Sequence, residues 1–121
     1  MKKITKIIFI CLVSILLSSN AFSQGSPEAL KAKALSQMDL AKEFSNRAQE
    51  VVTKESPRDD FVIARYLYTE AAKLYETARR NFLTLEKYYY VGKEYAESAA
   101  KSVEICMTSI GLCSKRITNM S

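Results

Sequence analysis

The chain has 121 residues and a formal net charge of +5, with three Gly, two Pro and no Trp or His. This length fits one domain, and the scarcity of helix-breaking residues favours helices. The lack of His excludes a His general base and the commonest metal ligand, and the three glycines lie too far apart to form a phosphate-binding loop. We therefore expect a protein that is not an enzyme and has no catalytic residues, no cofactor and no metal site.

The first 23 residues have the organisation of a secretory signal peptide. Lys2, Lys3 and Lys6 precede the apolar run Ile7–Leu17, and polar residues and the small-x-small site Ala21-Phe22-Ser23 follow it. We predict cleavage after Ser23, which leaves residues 24–121 as a single helical domain in the periplasm or outside the cell. An eleven-residue helix spans about 16 Å, half of the hydrocarbon thickness, so we expect no permanent membrane span.

The charge of the remaining chain argues against nucleic-acid binding. Without residues 1–23 the chain keeps 15 basic and 13 acidic side chains, and the two signs are mixed along the sequence. Nucleic-acid-binding proteins usually present a strongly basic face.

Cys11 lies inside the apolar run rather than at its end, so a lipid anchor is also not expected.

The first predicted helix runs from about Pro27 to Thr53. Ser26 is placed to cap it, Pro27 fits its first position, and Glu28 favours its positive N-terminus. From Leu30 onwards, apolar residues recur at steps of three and four, with polar residues opposite them. This spacing predicts an amphipathic helix with one buried stripe.

The second predicted helix begins near Pro57, with Ser56 in the capping position. Its apolar stripe extends from Ala64 to Tyr89, and the same spacing continues from Gly92 to Ile110. One helix of more than fifty residues is therefore an alternative. The first helix would cover only half of such a rod, and three consecutive Tyr followed by Val and Gly are weak helix formers. We therefore predict a turn near residues 90–93.

The third predicted helix runs from about Glu94 to Ile110. Gly111 fits the left-handed position that ends many helices, with Leu112 packing back on Met107. The predicted fold is all-α, an antiparallel helical bundle of two long helices and a shorter third one. Its predicted core consists of Leu30, Met38, Phe44, Val52, Leu67, Leu74, Phe82, Leu85, Val103 and Ile110.

Two cysteines remain after the predicted cleavage, Cys106 and Cys113. In an oxidising compartment such a pair tends to form a disulfide. Seven helical residues rise about 10.5 Å, beyond the roughly 7 Å that a disulfide allows between Cα atoms. A chain that turns back at Gly111 would bring them together, so we predict a disulfide. Two buried free thiols, or a redox or metal role, are the alternatives.

All seven tyrosines lie between residues 66 and 95. Three of them fall on the apolar stripe, where packing explains them: Tyr68, Tyr75 and Tyr89. Tyr66 and Tyr88 project away from the stripe, and Tyr90 lies near the predicted turn. Exposed tyrosines are good anchors for a protein or a glycan, so these three form the candidate partner surface.

The order of small and large apolar residues is similar to that of tetratricopeptide-like helical hairpins. The relevant stretch reads Ala71-Ala72-x-Leu74-Tyr75-x-x-Ala78, then Phe82, then Tyr95-Ala96-x-x-Ala99-Ala100. The chain also resembles a family of uncharacterised bacterial envelope proteins built from Ala-rich helical hairpins, which begin with a segment like Ser26–Leu30. It departs from that family in lacking a lipobox cysteine. The resemblance implies a role in protein interaction and carries over no catalytic residue.

Together these features predict an exported interaction or scaffold module of the bacterial cell envelope that binds a protein partner. Self-association is a further expectation, because a core this rich in alanine is thin. Two alternatives remain: a small inhibitor or immunity-type protein of an envelope enzyme, and a carrier of a small apolar ligand between the helices.

Overall fold

The computed structural model of the protein describes residues 26–53 and 55–120, and these fold into three helices without a strand. Helix α1 spans Pro27–Val51, α2 spans Arg58–Tyr89 and α3 spans Lys93–Asn119. The long central helix α2 packs along both of its neighbours. The predicted all-α bundle is confirmed, as is the turn before α3. The predicted signal peptide and its cleavage site lie outside the described residues.

Helix α1 begins as its sequence predicts. Ser26 has extended backbone angles, and its Oγ accepts a hydrogen bond of 3.1 Å from the N–H of Ala29. Pro27 occupies the first turn, where its missing N–H costs nothing. Removal of such a cap typically costs about 1 kcal/mol of helix stability.

Helix α2 begins differently from the prediction. Pro57, not Ser56, takes the capping position, and its carbonyl oxygen accepts from the N–H of Asp60 at 3.1 Å. Ser56 is buried, and its Oγ accepts a hydrogen bond of 2.6 Å from the N–H of Thr53. The short connection between the helices leaves this N–H without a helical partner, so the serine hydroxyl stabilises the connection instead of the helix end.

The core follows the stripe of α2 and its two neighbours. Four large side chains are almost completely excluded from solvent: Phe44, Leu67, Phe82 and Leu85. Six alanines without exposed surface recur every seven residues on two helices: Ala34, Ala41 and Ala48 on α1, and Ala64, Ala71 and Ala78 on α2. Small residues at this spacing allow the helix axes to approach closely. The other predicted core residues are half-buried and pack around this centre: Leu30, Met38, Val52, Leu74, Val103 and Ile110.

A partly buried polar contact joins Gln37 on α1 to Asn81 on α2. The side-chain amide of Asn81 donates a hydrogen bond of 2.9 Å to the side-chain oxygen of Gln37, which is 3% exposed. Any sliding of one helix along the other would leave the buried side-chain oxygen of Gln37 without this partner, at a cost of about 1–3 kcal/mol. The contact therefore favours one register between the two helices.

Helix α3 is longer than predicted. It continues through Gly111 to Asn119, so the left-handed stop at Gly111 is wrong. Leu112 and Met107 are both more than half exposed and do not form the predicted contact. The last helical turns bury Cys113 and Ile117 against the core, and this tertiary burial offsets the weak helix propensity of one glycine.

Replacement by alanine should have opposite effects on stability at the two glycines of the bundle, Gly111 and Gly92. A Cβ at Gly111 would meet no atom within 4 Å, so Gly111→Ala should raise the free energy of unfolding by about 1 kcal/mol. Gly92 has a φ of +107°, and a Cβ there would lie 2.8 Å from the carbonyl oxygen of Phe82, so Gly92→Ala should destabilise. Urea unfolding of both variants measures the difference. Destabilisation by Gly111→Ala would mean that α3 does not continue through this residue.

Candidate interaction surface

The connection between α2 and α3 presents a group of exposed side chains, which we call the tyrosine turn: Tyr88, Tyr89, Tyr90 and Val91. The exposed fractions are 63% for Tyr88, 45% for Tyr89, 86% for Tyr90 and 50% for Val91. Tyr89 was predicted to lie on the buried stripe. The side chain is exposed instead, at the residue where α2 ends.

The turn holds Tyr90 in a conformation that large residues rarely adopt. Its φ of 60° and ψ of 27° lie in the left-handed region, and its N–H donates to the carbonyl oxygen of Glu86 at 3.1 Å. For a residue with a Cβ this conformation costs roughly 1–2 kcal/mol, which is why glycine usually occupies it. The sequence instead places a tyrosine at the most exposed point of the turn.

The turn rests on a rigid base. The rings of Phe82 and Tyr95 stack with centroids 5.0 Å apart and planes 19° apart, and Phe82 is fully buried. The ammonium group of Lys31, near the start of α1, lies 5.4 Å from the Tyr95 ring centroid. All three helices therefore meet at this end of the bundle, and Gly92 allows the backbone to approach Phe82 closely.

The structure separates the three predicted partner residues into two places. Tyr88 and Tyr90 both belong to the tyrosine turn. Tyr66 is 47% exposed but lies 22 residues earlier on the same helix, which corresponds to about 33 Å along its axis. Tyr66 is therefore not part of the surface that Tyr88 and Tyr90 form.

A shallow groove with a volume of about 300 Å³ lies between α2 and α3 beside the turn, and we call it the α2–α3 groove. Its lining consists of Arg79, Leu83, Glu86, Lys93, Ala96, Glu97 and Ala100. The sequence patterns did not predict this groove. The signal was the spacing of 79, 83 and 86 on one helix and of 93, 97 and 100 on the next, which places each set on a single face.

The predicted disulfide is not present. Cys106 and Cys113 are free and buried, two turns apart on the same continuous helix. The prediction depended on a chain reversal at Gly111, and because the helix continues, the Cα atoms stay beyond bridging distance. Burial raises the pKa of both thiols, so at neutral pH they remain protonated and weakly nucleophilic.

Hydroxyl groups accompany the buried thiols. The Sγ of Cys106 lies 3.6 Å from the Oγ of Ser45 on α1. The hydroxyl of Tyr75 interacts with Ser45 and Ser102, and that of Tyr68 interacts with Ser109. Burial raises the pKa of both tyrosines, and the hydrogen bonds with serine only partly oppose it. These polar groups satisfy one another inside the bundle, and packing accounts for them.

Two further properties concern the described part of the chain. Within residues 26–53 and 55–120, no three His, Cys, Asp or Glu side chains lie close enough to hold a metal ion. None of the three helices has the length and apolar content that would let it cross a membrane.

Neither a protein-family model, a curated protein nor a solved structure matches this chain.

The two buried thiols predict a specific alkylation pattern. Iodoacetamide should react slowly with Cys106 and Cys113 in the folded protein, because both are buried. In denaturant without reductant, both should react completely. Intact mass spectrometry measures the number of added groups. A need for reductant before alkylation would show that the cysteines are bridged.

The buried hydroxyl and thiol groups predict alkaline destabilisation. The ordinary pKa is 9.0 for Cys106 and 10.0 for Tyr75, and both are raised in the folded state. The unfolded chain therefore loses these protons first, so the contribution of these groups to stability should be constant below about pH 9 and be lost as the pH rises above it. Urea unfolding between pH 7 and 11 tests this, and Tyr75→Phe should make the decline shallower. An equal decline in that variant would exclude Tyr75 as a contributor.

Proposed function

We propose that this protein is a non-enzymatic interaction or scaffold module, exported to the bacterial cell envelope, and that it binds a protein partner through the tyrosine turn. One observation carries the proposal: Tyr90 is 86% exposed in a left-handed backbone conformation. The export step is supported by the sequence of residues 1–23 alone.

Folding gives no reason for a large side chain at this position. Glycine would adopt the same backbone angles without the steric cost, and the side chain of Tyr90 is too exposed to contribute to the core. Backbone strain of this kind concentrates at sites that bind or react. A tyrosine that costs stability and buries little surface is best explained by a contact with another molecule.

The neighbours of Tyr90 enlarge the surface that a partner would bury and add hydrogen-bonding groups to it. Tyr88, Tyr89 and Val91 add apolar surface, and the tyrosine hydroxyls can donate and accept hydrogen bonds at the rim of an interface. Tyrosine has few rotatable bonds and loses little entropy when it is bound. The stacked Phe82–Tyr95 base fixes the turn before binding, which lowers the cost of association further.

A small inhibitor or immunity-type protein could use the same surface, and the two functions differ in their stoichiometry. An inhibitor would form a tight one-to-one complex with a single envelope enzyme. A scaffold would recover several envelope components. Crosslinking in intact cells, followed by mass spectrometry of the recovered proteins, distinguishes the two.

Replacement of Tyr90 separates binding from stability. Tyr90→Gly should raise the free energy of unfolding by about 1 kcal/mol, because it removes the steric cost of the left-handed conformation. The same change should reduce recovery of the crosslinked partner by about tenfold or more, as loss of an aromatic anchor does. Thermal unfolding and quantitative mass spectrometry measure the two effects.

Tyr66→Ala is the matched control, since it removes an exposed tyrosine from the same helix about 33 Å away. We expect this variant to recover the partner as the wild type does. Full recovery by Tyr90→Gly would show that the tyrosine turn is not the partner surface.

A further inference from the structure

We propose that a second copy of this chain occupies the α2–α3 groove. The two copies would be related by a two-fold axis parallel to the helices, so that α2 of each copy lies over α3 of the other. This inference goes beyond the proposed partner binding and is independent of it. It follows from the shape of the groove, the level of its residues along the helices and the order of its charges.

The groove is complementary in shape to itself. Leu83 projects from α2 and is 44% exposed, while the neighbouring face of α3 carries the small residues Ala96 and Ala100. A two-fold axis places Leu83 of one copy within about 3 Å, along the helices, of Ala96 of the other, and the same contact forms a second time. A leucine over a small-residue floor is the usual way in which helices interlock.

The stacked rings of Phe82 and Tyr95 fix the position of each charged residue along the helix axes, which we call its level. Phe82 and Tyr95 lie side by side, and α2 and α3 run in opposite directions. Towards the turn, Glu86 lies four residues beyond Phe82, about 6 Å, and Lys93 lies two residues from Tyr95, about 3 Å. Away from the turn, Arg79 lies about 4.5 Å from Phe82, and Glu97 about 3 Å from Tyr95.

Those levels bring opposite charges together across the two-fold axis. Glu86 of one copy faces Lys93 of the other, and Arg79 faces Glu97, with offsets along the helices of about 3 Å or less. Among the described residues, Glu86, Lys93 and Glu97 form no ion pair, whereas Arg79 already pairs with Glu76. The contact between Glu86 and Lys93 is therefore the main new ion pair, and symmetry forms it twice.

The equal number of basic and acidic residues in the groove favours a second copy over a partner whose charges all have the same sign. The lining contains two basic and two acidic residues: Arg79, Lys93, Glu86 and Glu97. A strongly basic or acidic partner would meet as many like charges as opposite ones, which is unfavourable at an interface. A copy turned by the two-fold axis places opposite charges together wherever α2 of one copy lies over α3 of the other, and like charges lie only diagonally across the axis.

The proposed dimer has a consequence for the tyrosine turn. A two-fold axis parallel to the helices keeps the same end of both copies together, so the two tyrosine turns lie side by side. A partner with two binding sites would then engage both turns, and its apparent affinity would rise without any new contact.

Charge reversal tests the proposal with the protein recovered from cells that express the full sequence. Sedimentation equilibrium should show a monomer–dimer equilibrium for the wild type. Lys93→Glu and Glu86→Lys, tested separately, should each weaken self-association by about tenfold or more, because both symmetry-related pairs become like-charged. An equimolar mixture of the two variants should recover the dimer, since positions 86 and 93 are then both acidic in one chain and both basic in the other.

Two more variants locate the surface. Leu83→Ser should weaken the dimer, whereas Leu112→Ser, at a residue that is 61% exposed and does not line the groove, should leave it unchanged. Circular dichroism confirms that each variant keeps its helices. The proposal is overturned if the wild type stays monomeric up to about 100 µM, as it would if another protein occupied the groove. It is also overturned if the single charge variants dimerise like the wild type or if their mixture does not recover the dimer.

Discussion

The burial of α2 against two helices at once is the constraint on which the rest of the structure depends. Its side chains face α1 on one side and α3 on the other, and alanines at seven-residue spacing let α1 approach closely. Because the alanine side chains are small, a few large side chains fill most of the core, among them Phe44, Leu67 and Phe82. The turn and the groove that we assign to binding both lie beside the fully buried ring of Phe82.

That position explains how a strained residue is tolerated. The ring of Tyr95 stacks on Phe82, and Gly92 approaches the same residue too closely for any side chain. The packing below the turn thus fixes the backbone path, and Tyr90 must take the left-handed angles that this path imposes. A surface fixed in this way is already arranged for binding, and its strain is offset by the core beneath it.

The helices could be predicted from the sequence where a local signal decides them. The cap formed by Ser26 and Pro27 and the periodic stripes depend on contacts within a few residues, and both were confirmed. The turn before Lys93 was also confirmed, although its prediction depended partly on how much of a longer helix α1 could cover. The predictions that failed depended on distant contacts. Gly111 resembles a helix stop, but burial of Cys113 and Ile117 continues the helix and keeps the two cysteines apart.

By itself, the sequence predicted three helices, their buried stripes and the approximate position of both connections, because hydrophobic periodicity acts over single turns, but it misplaced the cap of α2 and the end of α3. Only the tertiary structure decided that Ser56 stabilises the connection, that Gln37 and Asn81 pair, and that Tyr66 lies far from Tyr88. It also decided that the charges of two helices line one groove. The physical reason is that these arrangements depend on how far one helix is shifted along the other. The packing of side chains such as Phe82 against Tyr95 fixes that shift, and the order of residues along the chain does not contain it.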